Sequence, residues 1–391
     1  MSAASPPVST DTREILDRLV GFDTTSRASN LALIAYVETL LDACGASYER
    51  VYDATGTKAN LIARIGPDVD GGVVLNGHTD CVPVDGQPWD SDPFTVVERD
   101  GTLVGRGVTD MKGFLAVVLA ALPQMAAADL TRPIQLVLTY DEEIGTVGAP
   151  SAVEALVSRH PRPSAVIVGE PSSMEPVVAH KGVRAFVTTV AGLDAHSSQP
   201  HRAANAVAAL ARIATFIDEL AAEYRAGEYD ERFNPPHTTF NLGTFNGGTA
   251  VNIVARHAQL SWEYRPVPSD DSFAIRDRII DFATADVLPR LREATGVGDI
   301  SFEVVAAARG LDSEVDGAAE QLVRHLTGID APGRTVSFAT DGGHFQAAGL
   351  STVVMGPGSI DQAHLPNEWI RCDQLAAAES LVTALIKHLS A

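Results

Sequence analysis

Cysteine is scarce: Cys44, Cys81 and Cys372 are the only three in 391 residues, widely spaced and odd in number. That argues against both a disulfide framework and a thiolate metal site, and a reducing cytoplasm is the expected compartment. Basic residues are also few, 29 against 50 acidic ones, for a formal charge of −21. Such a balance opposes general affinity for phosphate backbones or anionic lipid, so neither nucleic acid nor a membrane is an expected partner. Long apolar runs are missing too. The start, MSAASPPVSTDT, has no basic stretch followed by an apolar core. The most apolar later segment, FLAVVLAALPQMAAADL, is interrupted by Pro123 and ends in charge, so neither export nor a membrane span is expected. No internal repeat or long low-complexity tract is visible.

What the chain does have is enough apolar material, 45% of residues, to fill more than one core, and its length predicts two domains. After an irregular Pro- and Ser-containing start, TDTREILDRLVGF and NLALIAYVETLLDACG read as capped amphipathic helices, the second stopping at Gly45. Short apolar runs then alternate with helices: NLIARI, GVVLNGH, the helix MKGFLAVVLAALPQM, IQLVLTY, the helix SAVEALVSRH, and AVIVGE. This alternation predicts an α/β fold built on a mixed, largely parallel sheet with helices on both faces. From about Gly182 the texture changes to half-buried strands, VRAFVTTVAG and HAQLSWEYR, with a single helix, AANAVAALARIATFIDELAAEY, predicting a smaller α+β domain. Near residue 300 the first pattern resumes with STVVMGPGS and QLAAAESLVTALIKHL. The expected division is therefore 1–181, an inserted domain over 182–299, and 300–391.

The chemistry-bearing residues cluster at the ends of these runs. His78, Glu142, Glu143 and Glu170 each follow an apolar strand, and ligands in open sheets gather beyond the carboxyl ends of strands. In VVLNGHTD, His78 and Asp80 are two apart and project to one side, so Asp80 can orient the imidazole. Asp110 in GRGVTDMKG precedes a helical run, where a carboxylate either caps the helix or, with its two oxygens, bridges two cations. Three successive acids in TYDEEIG usually mean a solvated turn, but they follow a strand as apolar as IQLVLTY. Their side chains diverge, so that one can bind metal while another faces water. His364 lies in GPGSIDQAHLPNE, a loop whose glycines and prolines permit an unusual path. This mixture of imidazole and carboxylate suits a pair of divalent cations and predicts a hydrolase.

In combination, GHTD, GRGVTDMKG, DEE and GEPS, with His364 completing the order, resemble the dinuclear-zinc aminoacylase and carboxypeptidase family over nearly the whole chain. The resemblance implies that His78 and Glu170 bind one metal, Glu143 and His364 the other, and that Asp110 bridges them. It further implies that Glu142 is the general base and Asp80 the aspartate behind the ligands. Zinc is the expected metal, with cobalt and manganese also suited to such donors. The inserted domain is similar to the family's lid and dimerisation domain, implying a homodimer. His196 in AHSSQPH then becomes the donor to the oxyanion of the partner's site, with His201 the second candidate, and Arg265 and Asn252 the contacts to the substrate carboxylate. A salt-bridged strand arginine is the competing reading of Arg265. The segments HTDCVPVDGQPWDSDPF, FNGGTAVNIVARHAQLSWEYRPVP and GPGSIDQAHLPNEWI are most similar to the family's acetylornithine deacetylases. That implies a small N-acyl amino acid, N-acetyl-L-ornithine, as substrate, in a step of arginine biosynthesis. Desuccinylases, aminoacylases and carboxypeptidases share the machinery, and ATDGGHF carries Asp341 where deacetylases of this type often present glutamate. A catalytically silent binding protein on the same scaffold is the alternative from another class.

Overall fold

Two compact units make up the chain, one of Met1–Ala179, Leu311–Thr335 and Thr340–Ala391, the other of His180–Gly310 and Val336–Ala339. The computed structural model describes residues 8–391; the Pro- and Ser-containing start expected to be irregular lies outside the described residues up to Val8. The return between units falls at Gly310, beyond the expected boundary near 300. The reason is that the strand Asp299–Ala306 pairs antiparallel with Arg184–Ala191 and completes the second unit's sheet.

The first unit is built on an eight-stranded sheet. Its order is Ser47–Tyr52, Ala59–Ile65, Ile134–Thr139, Val73–His78, Ala165–Pro171, Thr352–Gly356, Val177–His180, Arg334–Val336. The four central strands, from Ile134–Thr139 to Thr352–Gly356, run parallel. The flanking pairs through Ala59–Ile65, and the contact of Val177 with Val354, are antiparallel. The sheet is thus mixed, with a run of four parallel strands at its centre. Alternate residues separate its faces as the two-residue pleat requires. Leu61, Ala63, Val73, Leu75, Leu136 and Ile167 join the main apolar cluster, with Phe114, Leu115, Leu381 and Leu385. Ile62, Val74, Val137, Val166 and Val354, one position away, are equally buried but stand outside that cluster. On that opposite side the helices Ala149–Arg159 and Gly342–Ala347 pack. Both faces are therefore helix-covered, which is why the strands read as continuous apolar runs.

The helix expected as one piece over MKGFLAVVLAALPQM is two, Lys112–Ala120 and Leu122–Ala127. Pro123 can open a helix but cannot accept a place in its interior, so the chain restarts at Ala121. No helix among the described residues is long and apolar enough to cross a membrane.

The second unit is a four-stranded antiparallel sheet, ordered Thr239–Gly247, His257–Arg265, Arg184–Ala191, Asp299–Ala306. In HAQLSWEYR the alternation holds: Ala258, Leu260, Trp262 and Tyr264 are buried in its core with Leu210, Ile213 and Ile217 of the helix Ala206–Ala226. A second helix, Ser272–Phe282, was not anticipated from the sequence. Its signals are Asp271, whose side chain accepts from the Phe273 and Ala274 amides, and Ile275 and Ile279 one turn apart on the buried face.

Candidate active site

Seven of the residues singled out above converge in the first unit. His78 ends its central strand, and Glu170 sits near the end of the adjacent strand Ala165–Pro171. Parallel neighbours bring such ends to a common rim. His78 Nε2 lies 2.9 Å from Asp110 Oδ1 and 3.6 Å from Glu170 Oε1. On the other side of Asp110, His364 Nε2 lies 3.2 Å from Oδ2 and 2.9 Å from Glu143 Oε2. Two groups of three donors result, His78–Asp110–Glu170 and Asp110–Glu143–His364, with ligand atoms in each all within 4.8 Å of one another. They share Asp110, one carboxylate oxygen facing each histidine. Glu142 belongs to neither group.

The expected partnership of His78 with Asp80 takes a different form. His78 Nδ1 is 3.0 Å from the backbone carbonyl of Asp80 but 3.6 Å from its carboxylate. A carbonyl only accepts, so Nδ1 carries a proton and Nε2 is the nitrogen free to ligate. The Asp80 carboxylate is engaged elsewhere: it accepts the Glu142 amide at 3.1 Å, the Glu143 amide at 3.3 Å and the Ser26 hydroxyl at 2.8 Å. It holds the turn that presents the two glutamates. The third acid of that turn, Asp141, faces Lys58, with Oδ2 2.7 Å from Nζ. Asp141 and His364 both hold left-handed backbone, φ 54° and 64°. Non-glycine residues keep such a conformation only where their surroundings over-determine it, and such positions concentrate at functional sites.

Three residues that sequence reading passed over hold the loops in place. Trp369–Arg371 pairs with Thr102–Val104, which brings Glu368 beneath the Asp110 loop. Glu368 accepts the amides of Gly107, Thr109 and Asp110 at 2.8 to 3.1 Å and the Arg106 guanidinium at 2.7 Å. Gly107, at φ 81°, makes the turn that points those amides inward. Arg106 also donates to Gln87 Oε1, and Gln87 Nε2 donates to the His364 carbonyl at 3.0 Å. The Arg106–Glu368 pair is fully buried on both sides, so removal of either partner leaves an uncompensated charge. Asp341 is buried behind the strand ends; it accepts from Thr139 Oγ1 at 2.7 Å, and its Oδ1 has no partner among the described residues.

The electrostatics are those of an acid-rich cage. Burial, reinforced by Asp110, pushes the Glu143 carboxyl up to about 7. Burial with the neighbouring Glu170 raises Glu142, and burial with Asp110 raises Glu170, both well above the ordinary range. Burial opposes charge on Asp110 as well, but hydrogen bonds from His364 and His78 outweigh it and hold its carboxyl low. Hydrogen bonds to Asp110 and Glu143 lift His364 to about 10. Four carboxylates crowd two imidazoles, and Glu143 Oε1 is buried with no partner among the described residues. Divalent cations are what such a donor set accommodates. Cys81 is close in sequence, but burial raises its thiol to about 11, so the donors are nitrogen and oxygen alone.

A profile of peptidase family M20/M25/M40 matches residues 74–388. The chain belongs to that family. It is accordingly a metal-dependent hydrolase of amide bonds. An acetylornithine deacetylase of Myxococcus xanthus is 34% identical over 96% of this M20 chain and 97% of its own. One from Pasteurella multocida is 33% identical over 92% and 91%. Among solved structures, an M20 metallo-carboxypeptidase of Sulfolobus solfataricus superimposes with a TM-score of 0.73 at 18% identity, covering 97% of this chain and 99% of that one. A dinuclear metal-binding M20 peptidase of Bacillus subtilis gives 0.65 at 16%, covering 97% and 98%. These likenesses extend the fold to both units.

The remaining expected residues lie in the second unit. His196 Nδ1 accepts the Ser198 amide at 3.2 Å, which puts its proton on Nε2, and its ring is exposed. The adjoining Ser197 amide donates to the Asn252 carbonyl at 3.0 Å, and His196 bridges to Ile253, so His196 and Asn252 stand side by side. Arg265 does not join them. It ends the nine-residue strand that begins at His257 and is paired with Glu263 at 2.9 Å. The strand's rise puts it about 26 Å from the His257 end.

Proposed function

We propose that this M20 hydrolase removes the acetyl group from N-acetyl-L-ornithine, giving L-ornithine and acetate, an arginine-biosynthetic step. The observation that carries the chemistry is the division of labour around Asp110: two donor triads share it, and one glutamate, Glu142, is left over. His78, Glu170 and Asp110 would hold one cation, and Glu143, His364 and Asp110 the other. The all-nitrogen-and-oxygen donors suit zinc, and also cobalt or manganese. Such ions supply Lewis acidity, lowering the pKa of a water toward about 7 and polarising the amide carbonyl.

Glu142 takes the proton of the attacking water as its oxygen bonds to the acyl carbon. When the C–N bond breaks, Glu142 returns that proton to the leaving nitrogen, which is otherwise too basic to depart. Its amide, fixed on Asp80, keeps the carboxylate at the cage rather than in solvent. The Nε2–H of His196 donates to the oxygen on which negative charge grows, and Arg265, released from Glu263, pairs with the α-carboxylate. The substrate itself is read from the deacetylase relatives, which match at 33 to 34% over more than nine-tenths of this chain. Asp341, where such deacetylases often present glutamate, is buried behind the cage and accepts from Thr139 Oγ1 at 2.7 Å. Turnover of zinc-loaded protein on N-acetyl-L-ornithine should exceed that on its succinyl and glutamyl analogues and on dipeptides by at least about tenfold in kcat/KM. A preference for any of the others would overturn the substrate and leave the chemistry standing.

The same reading includes a homodimer. His196 and Asn252 lie together in segments outside the strand that Arg265 ends, and this separation supports a second copy contributing the pair to a site whose substrate Arg265 grips. Inactive Glu142→Gln and His196→Gln subunits, once exchanged, should recover roughly a quarter of native activity, since half the dimers are mixed and each has one intact site. No recovery after verified exchange would refute the shared site.

A further inference from the structure

We propose that Ser26 and Lys58 are positioning residues for the reaction, a clamp that locks the turn presenting Glu142 and Glu143 against the turn that follows His78. This rests on the reading of Glu142 as the base. Both residues precede residue 74, where the family match begins, so neither is implied by it.

The clamp has two arms that meet at Ser26. Through its side chain, Ser26, 5% exposed, donates to Asp80 Oδ2 at 2.8 Å, and Asp80 in turn accepts the Glu142 and Glu143 amides. A carboxylate that only accepted from two amides could still rock about its own bond. The hydroxyl proton fixes it in the plane that serves both. Through its backbone, Ser26 donates to the Cys81 carbonyl, while the Cys81 amide donates to Thr24, each at 3.2 Å. Thr25 is thereby held in an isolated parallel bridge with Cys81, beside the turn after His78. The Ser26 carbonyl receives the second arm: Lys58 Nζ donates to it and to both oxygens of Asp141.

Asp141 is buried, left-handed and immediately before Glu142. Without Lys58 its carboxylate would face the protein interior unpaired, and the turn would relax to relieve both the charge and the backbone. One ammonium and one hydroxyl, from segments distant in sequence, thus set where Glu142 stands relative to His78. Small errors there matter because proton transfer requires hydrogen-bond reach to the water.

The test uses full-length protein at saturating zinc. Ser26→Ala and Lys58→Met should lower kcat by about 10- to 100-fold, the usual cost of losing a partner behind a metal site. KM should stay within about twofold and zinc content should be native, because binding and coordination are left in place. In metal-free protein, amide exchange at Glu142 and Glu143 should quicken. Ser26→Thr and Lys58→Arg, which keep the hydroxyl and the cation, should recover most of kcat. Native kcat in both deletion variants overturns the clamp. So does a fall that follows lost zinc or lost folded protein and is not restored by the conservative replacements. The two arms are tested separately, so poor folding of one deletion variant leaves the other to decide. Glu142→Gln, measured in parallel, separates the two claims: if it turns over normally, the base assignment fails, whereas an inactive Glu142→Gln beside native-like Ser26→Ala and Lys58→Met sinks the clamp alone.

Discussion

Glu142→Gln should lower kcat by about 10²- to 10⁴-fold, the range a positioned general acid–base contributes, while leaving zinc content native. The substitution is nearly isosteric, so the backbone hydrogen bond to the Asp80 carboxylate and the turn it stabilises survive. What disappears is the ability to accept a proton from water and to return it to the departing amine. Because Glu142 belongs to neither donor triad, zinc should still raise the melting temperature of the variant. At a free concentration about a thousandfold above Kd, one tightly bound ion stabilises the native state by about 4 kcal/mol. Turnover measured beside melting curves with and without zinc distinguishes the two functions of the cage. Activity within a few-fold of native would remove Glu142 from the mechanism, and loss of the zinc-dependent shift would make it a ligand.

Asp110→Ala should have the opposite signature and the larger effect: turnover below detection and loss of the zinc-dependent stabilisation altogether. The reason is geometric. Oδ1 faces His78 and Oδ2 faces His364, so one substitution removes a donor from both triads. It also removes the carboxylate on which the two imidazoles converge. His364→Ala should be milder in metal content, since it opens only the triad shared with Glu143. Replacing Asp110 and finding one triad still loaded would show that the carboxylate is not shared.

Much of this cage was legible in the sequence because its ligands stand where strands end. His78 and Glu170 close apolar runs, and the strand order makes neighbours of those ends. The Asp141–Glu143 turn was conspicuous for the same reason. The supporting residues were not legible. Arg106, Gln87 and Glu368 are polar residues in loops, the usual description of a surface, and only the pairing of Trp369–Arg371 with Thr102–Val104 turns them inward. Ser26 and Lys58 are hidden by separation along the chain in the same way. Asp80 was assigned to the imidazole by its two-residue spacing, but the chain leaves its strand there, and the backbone carbonyl takes the place the carboxylate was given. In the second unit, Asp299–Ala306 was lost to the neighbouring domain because much of it is exposed and carries no apolar run. The helix Ser272–Phe282 was missed because its buried stripe is narrow.

Native mass spectrometry of the metal-stripped protein titrated with zinc tests the common cage most directly. Two ions per wild-type chain, falling to none in Asp110→Ala and staying at two in Glu142→Gln, is the predicted result. A wild-type chain that holds a single ion, or one whose zinc is indifferent to Asp110, would contradict it.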